Sequence, residues 1–262
     1  LLEMRFLTVF GAAWDRDHIA HVQINFSEKI GIGNRGQFWE ETGLLRDVVQ
    51  NHIMQLLSLV AMEQPDDFTD GQSIRKEKIK VLKEIRPFSL HELDNFIIRG
   101  QYGPGIVDGI EVNGYRQEAG VPAESNRETF VAAKLFIDNE RWEGVPFYIN
   151  AGKRLDKHSV EIVITYKNSV QLVFGVNPKG DVRLIYENEM AELPLSHYEQ
   201  DGIRLKDAYG IVLYAGMLGE KKIFADVEEI LSSWRLLNPV LEHWEKHVEE
   251  SFPNYPAGSE GP

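Results

Sequence analysis

The 262-residue sequence contains no cysteine, which excludes disulfide bonds, thiolate metal ligands and cysteine nucleophiles and fits a reducing compartment. Basic residues are scarce: 28 lysines and arginines face 41 aspartates and glutamates, for a net charge of −13. A net anion is a poor general binder of nucleic acid or anionic lipid. No apolar run approaches the roughly 20 residues of a membrane-spanning helix. The remaining composition, 43% hydrophobic and 26% charged, is typical of a globular chain with a substantial core.

The two ends of the sequence differ from those of an ordinary complete chain. Residues 1–6 read L-L-E-M-R-F, which has no initiator methionine, lacks the order of a signal peptide and resembles the middle of a helix. Residues 253–262 form a turn-rich segment with no element after it. We therefore expect the sequence to be a piece of a longer protein.

The hydrophobic pattern of the first hundred residues predicts a strand and two helices. Alternating apolar residues at 18–26 predict the strand. Apolar residues recur with helical spacing through residues 43–62, which predicts a long helix with a wide buried face. Residues 75–85 predict a short basic helix with Ser73 as its cap. The glycine-rich loop at residues 100–127 is longer than ordinary connections, which favours a functional or mobile segment.

The pattern changes after residue 129, where successive strands are expected. Their predicted positions are residues 129–138, 147–151, 160–166, 171–176 and 182–186. Tight polar turns join the last three, so residues 129–187 predict an antiparallel meander. Helices are expected within residues 205–250, at 207–219 and at 226–237, the second ending at Asn238-Pro239. This order indicates an α+β fold, with a large, mostly antiparallel sheet and helices packed on one face, in a single domain of residues 1–262.

Residues 31–36 spell G-I-G-N-R-G, the G-x-G-x-x-G pattern of a dinucleotide-binding turn. Such a turn needs its last glycine to open a helix, so that the helix N-terminus meets the pyrophosphate. Residues 37–42 intervene before helical periodicity begins. The motif therefore predicts a flexible turn rather than a cofactor site.

Two clusters of polar residues could carry chemistry. His52 lies on the predicted long helix with polar neighbours and with Asp47 near the helix start, which could mark a site or a partly buried core histidine. Residues 152–157 place Lys153, Arg154 and Lys157 on a glycine turn after a strand. Such cations suit a phosphate, although a solvated basic turn is equally compatible with the pattern. No Cys/His cluster has metal-ligand spacing, so no metal is expected.

Taken together, these motifs resemble the glucose-6-phosphate dehydrogenase family. Residues 46–52 read R-D-V-V-Q-N-H, similar to the family's R-D-V-x-Q-N-H. Residues 139–147 read N-E-R-W-E-G-V-P-F, similar to N-x-R-W-[DE]-G-V-P-F, and a G-K-x-L turn follows at 152–155. Shorter matches are D-A-Y at 207–209, W-R at 234–235 and G-S-E-G-P at 258–262. The similarity covers nearly the whole chain.

The resemblance implies roles for five residues. It makes His52 the base that takes the proton from the sugar C1 hydroxyl. Glu28 and Asp47 become ligands of sugar hydroxyl groups, and Lys153 and Lys157 become cations at the sugar phosphate.

The resemblance also implies a cofactor and partners. The family's nucleotide-binding fingerprint, G-x-x-G-D-L-A, is absent, so NADP would be bound mainly by an N-terminal half outside this sequence. The implied protein is a cytoplasmic enzyme that oxidises glucose 6-phosphate to 6-phosphogluconolactone in the pentose phosphate pathway and forms a homodimer or homotetramer through the sheet. The rival interpretation is a non-catalytic sugar-phosphate-binding or assembly subunit.

Overall fold

The computed structural model describes Leu1, Arg5 and residues 12–89, 91–187, 189–193, 208–219 and 224–262. Most of the amino-terminal segment, and Asp207 of the D-A-Y match, lie outside the described residues.

The centre of the fold is an eight-stranded mixed sheet. The strands of the described chain are β1 Ile19–Glu28, β2 Ile97–Gly100, β3 Tyr102–Gly103, β4 Gly105–Val107, β5 Ile110–Val112, β6 Phe130–Leu135, β7 Phe147–Lys153, β8 Ser159–Tyr166, β9 Gln171–Asn177, β10 Asp181–Tyr186, β11 Glu189–Leu193 and β12 Tyr255–Pro256. The large sheet has the order β11-β10-β9-β8-β1-β7-β6-β2, while β3 pairs with β12 and β4 with β5. The short strands β3–β5 subdivide the segment expected to be one glycine-rich loop.

The predicted fold class is confirmed, because the sheet is mostly antiparallel and β8, β9 and β10 form the expected meander. One pairing departs from that pattern. Strand β1 lies between β8, to which it is antiparallel, and β7, to which it is parallel. The carboxyl ends of β1 and β7 therefore meet at the same edge of the sheet.

The described helices are α1 Gly36–Leu44, a π-helix Leu45–Ile53, α2 Met54–Ala61, α3 Gly71–Glu84, α4 Leu93–Phe96, a 3₁₀ turn Tyr115–Gln117, α5 Ala208–Met217 and α6 Val227–Lys246. The predicted long helix of residues 43–62 is present from Leu44 onward, since Gly43 has a non-helical φ of 69°. Its first half has π rather than α geometry.

Two predicted helix boundaries were wrong. The cap of α3 is Asp70 rather than Ser73: its carboxylate accepts hydrogen bonds from the backbone N–H groups of Gln72 and Ser73, both at 3.0 Å. Helix α6 continues through Pro239 to Lys246 instead of ending before the proline. Proline removes one backbone donor, but the buried side chains on both sides of it keep the helix packed on the core.

Helices cover one face of the sheet, which we call the covered face. Its strand side chains include Val22, Ile24, Phe147, Ile149 and Ile162, all at most 2% exposed. They share one apolar cluster with Val48 and Val49 of the π-helix and with Leu57 and Val60 of α2. Because successive strand residues alternate between faces, Phe26, Glu28 and Lys153 also lie on the covered face, at its edge.

Two tryptophans hold the end of α2 in place. The last carbonyl groups of a helix have no partner within it. The indole N–H of Trp14 donates to the Val60 carbonyl at 2.9 Å, and that of Trp142 donates to the Ala61 carbonyl at 2.8 Å. Arg141, beside Trp142, forms a bidentate pair with Glu63 just beyond the helix. The N-E-R-W motif therefore anchors the helix whose π-helical start carries His52.

Candidate functional site at the edge of the parallel strand pair

The site is built where β1 and β7 end side by side. Glu28 and Lys153 are the last residues of these strands and are paired in register. The carboxyl ends of parallel strands are a common location for ligand sites in α/β sheets. Among the described strands of the large sheet, β1 and β7 are the one parallel pair, and their ends place a carboxylate and an ammonium group together.

Lys153 is buried, with 2% of its surface exposed, although it is a lysine. Its Nζ lies 2.5 Å from Oε2 of Glu28 and 4.8 Å from the ring centroid of Trp39. Trp39 is fully buried on α1, and its indole N–H donates to the Glu128 carbonyl at 3.3 Å. A buried ammonium group needs such partners, since its desolvation is costly. The geometry therefore holds a single cation in a fixed place.

His52 reaches the same edge through Phe26, which precedes Glu28 by two residues on the same strand face. The two rings are stacked, with centroids 5.8 Å apart and planes inclined by 13°. His52 is otherwise exposed, and within the described part of the chain neither ring nitrogen has a hydrogen-bond or ion-pair partner. This is unlike a core histidine, whose nitrogens are satisfied by the protein. The arrangement leaves both nitrogens of His52 accessible to a ligand.

The π-helix decides how Asp47 and His52 lie relative to each other. In an α-helix of 3.6 residues per turn, residues five apart point about 140° away from each other. The π-helix instead joins residue i to i+5, as the hydrogen bond from the Met54 N–H to the Val49 carbonyl shows. Wider turns bring Asp47 and His52 closer to one face of the helix. Asp47 is half-buried and, like His52, has no polar partner among the residues described.

Glu128 fixes the start of this helix. The helical backbone is interrupted by a kink at Gly43, and a Cβ there would lie 2.3 Å from Oε1 of Glu128. That oxygen accepts a hydrogen bond from the Leu45 N–H at 3.0 Å, and the Glu128 backbone carbonyl accepts one from the Leu44 N–H at 3.4 Å. Glu128 is 1% exposed and therefore acts as a buried cap from outside the helix.

Two further polar residues of the R-D-V-V-Q-N-H motif tie the π-helix to α6. Arg46 pairs with Glu245 at 3.2 Å, and the Gln50 amide donates to the Ser233 hydroxyl at 2.9 Å. The valines of the motif face the core. The motif thus divides into side chains that anchor the helix and side chains, among them Asp47 and His52, that are left for a ligand.

Lys157 lies apart from the other predicted site residues. It is exposed, and no hydrogen bond or ion pair joins it to another described residue. The structure thus brings Glu28 and Lys153 into direct contact and joins them to His52 through Phe26. It places Asp47 on the same π-helix as His52 and leaves Lys157 in solvent beyond the turn.

Residues 31–36 differ from their prediction in one respect, because α1 begins at Gly36 itself. The glycines nevertheless serve close contacts within the chain. A Cβ at Gly36 would lie 2.1 Å from the Ala119 carbonyl oxygen, and one at Gly31 would lie 2.6 Å from Nε of Arg154. Gly31 and Gly36 thus pack closely against the protein itself, whereas a Cβ at Gly33 would meet nothing within 4 Å.

Sequence reasoning missed three residues of the site: Phe26, Trp39 and Tyr255. Tyr255 donates a hydrogen bond from its hydroxyl to the Lys153 carbonyl at 2.8 Å. The only local signal for Trp39 was an aromatic residue between the glycine turn and the long helix. Nothing local to Tyr255 relates it to residue 153, since the two are 102 residues apart.

Within the described residues, no group of three or more His, Cys, Asp or Glu side chains is arranged to hold a metal ion. None of the helices found there is long and apolar enough to cross a membrane.

Comparison with known proteins assigns the chain to a family. A family model described as the C-terminal domain of glucose-6-phosphate dehydrogenase matches residues 2–262. The chain therefore belongs to the glucose-6-phosphate dehydrogenase C-terminal domain family, which confirms the resemblance inferred from the motifs.

Individual relatives agree with this assignment. The glucose-6-phosphate 1-dehydrogenases of Chlamydia pneumoniae and Bacillus subtilis (strain 168) are 43% and 38% identical over 100% and 97% of this chain. A solved structure of glucose-6-phosphate dehydrogenase in complex with its substrate glucose-6-phosphate is 34% identical, with a TM-score of 0.84 over 100% of this chain and 57% of that one. The enzyme from Mycobacterium avium is 30% identical, with a TM-score of 0.79 and the same coverage. The chain spans 56% of the length of the two curated relatives.

Proposed function

We propose that this chain is the substrate-binding domain of an NADP-dependent glucose-6-phosphate 1-dehydrogenase and that it carries the catalytic base. The observation that supports this most directly is the edge where β1 and β7 end. Buried Lys153 pairs there with Glu28, and His52, whose nitrogens have no partner among the described residues, stacks on Phe26 of the same strand. The family membership and the substrate named for a solved relative agree with it.

His52 acts as the general base in this proposal. A ring nitrogen of the neutral imidazole accepts the proton of the C1 hydroxyl, and bound NADP⁺ would supply the acceptor for the hydride from C1. The C1–O bond becomes the carbonyl of 6-phosphogluconolactone, and the products are the lactone, NADPH and one proton. Stacking on Phe26 limits rotation of the imidazole ring, so that the nitrogen keeps its direction.

The other four residues bind the substrate. Glu28 and Asp47 accept hydrogen bonds from sugar hydroxyl groups, which carboxylates do well. Lys153 donates to the phosphate from its fixed place beside Trp39. Lys157, which is exposed, contacts the phosphate from the solvent side. Its charge-assisted contact offsets the conformational entropy that the side chain loses when it becomes ordered.

The NADP site belongs mainly to a domain outside this sequence. Within the described residues, the glycine-rich turn that precedes α1 has Gly36 packed against Ala119 and Gly31 packed against Arg154, which leaves little room for a pyrophosphate at these two positions. The residues proposed here therefore bind and orient the sugar and hold its proton. We further propose that the protein acts in the cytoplasm as a homodimer or homotetramer joined through the sheet, which the absence of cysteine and the exposed side chains of the uncovered sheet face support.

The experiment compares the complete gene product with its His52→Asn variant. Asparagine keeps a hydrogen-bonding side chain but cannot take a proton, so kcat should fall about 10²–10⁴-fold while KM for glucose 6-phosphate changes little. The low-pH limb of kcat/KM should also disappear from the residual activity. His18→Asn is the matched control, because His18 pairs with Asp15 at 2.7 Å beside the opposite end of β1.

Two results would contradict the proposal. If the wild-type gene product forms no NADPH from glucose 6-phosphate but binds the sugar phosphate, the chain belongs to a non-catalytic binding subunit. If His52→Asn keeps full kcat, His52 is not the base.

A further inference from the structure

The carboxyl-terminal segment Tyr255–Gly261 lies against the turn that follows Lys153. Its first residues form β12, which pairs with β3 in parallel. Ser259 then forms an isolated parallel bridge with Leu155. The last residues of the chain are therefore neighbours of the turn that carries the proposed phosphate-binding cations.

Three hydrogen bonds join the segment to the turn. The Tyr255 hydroxyl donates to the Lys153 carbonyl at 2.8 Å, and the Gly258 N–H donates to the Arg154 carbonyl at 2.7 Å. The Asp156 N–H donates to the Ser259 carbonyl at 2.9 Å. The end of β1 and the residues after it bind the turn as well: the Arg154 N–H donates to the Ile30 carbonyl, and the Leu155 N–H donates to the Glu28 carbonyl.

The turn needs these bonds because its backbone is strained. Arg154 has a φ of 56°, in the left-handed region that residues other than glycine rarely adopt. Such a conformation is strained and persists only when its surroundings hold it. In the carboxyl-terminal segment, Gly258 has a φ of 90°, and a Cβ there would lie 2.0 Å from the Ile106 carbonyl oxygen. The close approach of the segment therefore depends on this glycine.

Tyr255 is the centre of the contact. It is 2% exposed, and burial raises the pKa of its hydroxyl, so that it stays a protonated donor. The Tyr102 N–H donates to Oγ1 of Thr129, which lies 2.9 Å from the Tyr255 hydroxyl. The Thr129 carbonyl in turn accepts the Lys153 N–H at 3.0 Å. Both backbone groups of Lys153 are thus fixed by one buried network.

We propose that Tyr255 is a positioning residue for Lys153, and that the segment Tyr255–Gly261 sets the preference for a phosphorylated over an unphosphorylated sugar. This inference rests on the function proposed above. The ammonium of Lys153 is buried and held between Glu28 at 2.5 Å and the ring of Trp39 at 4.8 Å, so a shift of its backbone moves the charge itself. Misplacement of a binding group by about 1 Å can cost large factors in rate or affinity.

The test compares Tyr255→Phe with wild type in the complete gene product. Phenylalanine keeps the ring contacts with Phe130 and Tyr102 and removes only the hydroxyl. Loss of one buried hydrogen bond predicts a rise of about threefold to tenfold in KM for glucose 6-phosphate. The KM for NADP, kcat and the kcat/KM for glucose should change less than twofold. Tyr115→Phe is the matched control, because Tyr115 is equally buried and donates to Glu40 rather than to the turn.

Each result decides the question. Equal losses for glucose 6-phosphate and glucose, or a Tyr255→Phe enzyme with an unchanged KM for the sugar phosphate, would overturn the positioning role. If Tyr255→Phe does not fold, Ser259→Ala takes its place, since it removes only the hydroxyl that closes the terminal turn on Gly261. It should raise the same KM about twofold to threefold, and an unchanged value would overturn the proposal that the segment Tyr255–Gly261 sets the preference for the phosphorylated sugar. Failure of the proposed function is distinguishable, because the wild-type enzyme would then be inactive.

Discussion

The buried ammonium of Lys153 can be removed with little change of shape by Lys153→Met. Methionine keeps a long side chain against Trp39 but removes the charge that faces Glu28. In the complete gene product we expect KM for glucose 6-phosphate to rise about tenfold, while kcat and KM for NADP stay within twofold.

The size of this effect follows from the contact that exists without substrate. A hydrogen bond to a charged group contributes about 1.5–3 kcal/mol, which is about tenfold to hundredfold in affinity. Because Nζ of Lys153 already lies 2.5 Å from Glu28, an incoming phosphate shares an existing partner instead of meeting a free cation. The binding free energy that Lys153 contributes therefore lies at the low end of that range, and so does the loss of affinity expected for the variant.

The same contact predicts a change in stability. Removing one partner of a buried ion pair costs about 3–5 kcal/mol because the other charge is left unpaired. The Glu28 side chain is 17% exposed and keeps some water, so the low end applies. Lys153→Met should therefore lower Tm. Adding Glu28→Gln to this variant should recover most of the lost Tm, while KM for glucose 6-phosphate should stay raised.

Initial rates at varied substrate and NADP concentrations, with Tm from calorimetry, measure both effects. Lys78→Met is the matched control: Lys78 is also buried, pairs with Glu229 at 2.6 Å and lies outside the site, so it should lower Tm and leave KM unchanged. A folded Lys153→Met enzyme with wild-type KM would refute the reasoning and leave Lys153 as a structural partner of Glu28.

Three further outcomes are expected. The 262-residue chain alone should neither bind nor reduce NADP in calorimetry and absorbance assays, because Gly36 at the start of α1 packs against the Ala119 carbonyl. Turnover by this chain would contradict the prediction. Light scattering of the complete gene product should show an oligomer, and Tyr148→Glu on the uncovered sheet face should shift it toward monomer; a wild-type monomer would count against association through the sheet. The hydrogen bond with Arg141 lowers the pKa of Glu63 below its ordinary value of 4.5. The pair therefore stabilises the fold above pH 4.5, and this stabilisation is lost as the pH falls through the lowered pKa. The Tm difference between wild type and Glu63→Gln should therefore be present at neutral pH and shrink in acid, and a difference independent of pH would exclude this origin.

Local patterns predicted most of the helices and strands well. The meander β8–β9–β10 and the helix that carries His52 were expected from hydrophobic periodicity, because periodicity records which side chains face the core. Boundaries were less predictable where a competing local choice existed. Asp70 and Ser73 are both good caps, and only the fold of the preceding loop selects the aspartate.

The sequence by itself determined the family and the identity of the proposed site residues, since R-D-V-V-Q-N-H and N-E-R-W-E-G-V-P-F are specific patterns of side chains. Only the tertiary structure decided that Glu28 and Lys153, 125 residues apart, end two parallel strands side by side. It also decided that the histidine lies on a π-helix stacked on Phe26, and that Tyr255 supports Lys153 from the end of the chain. These features depend on strand pairing and close packing between distant segments, and neither leaves a periodic signal in the local sequence.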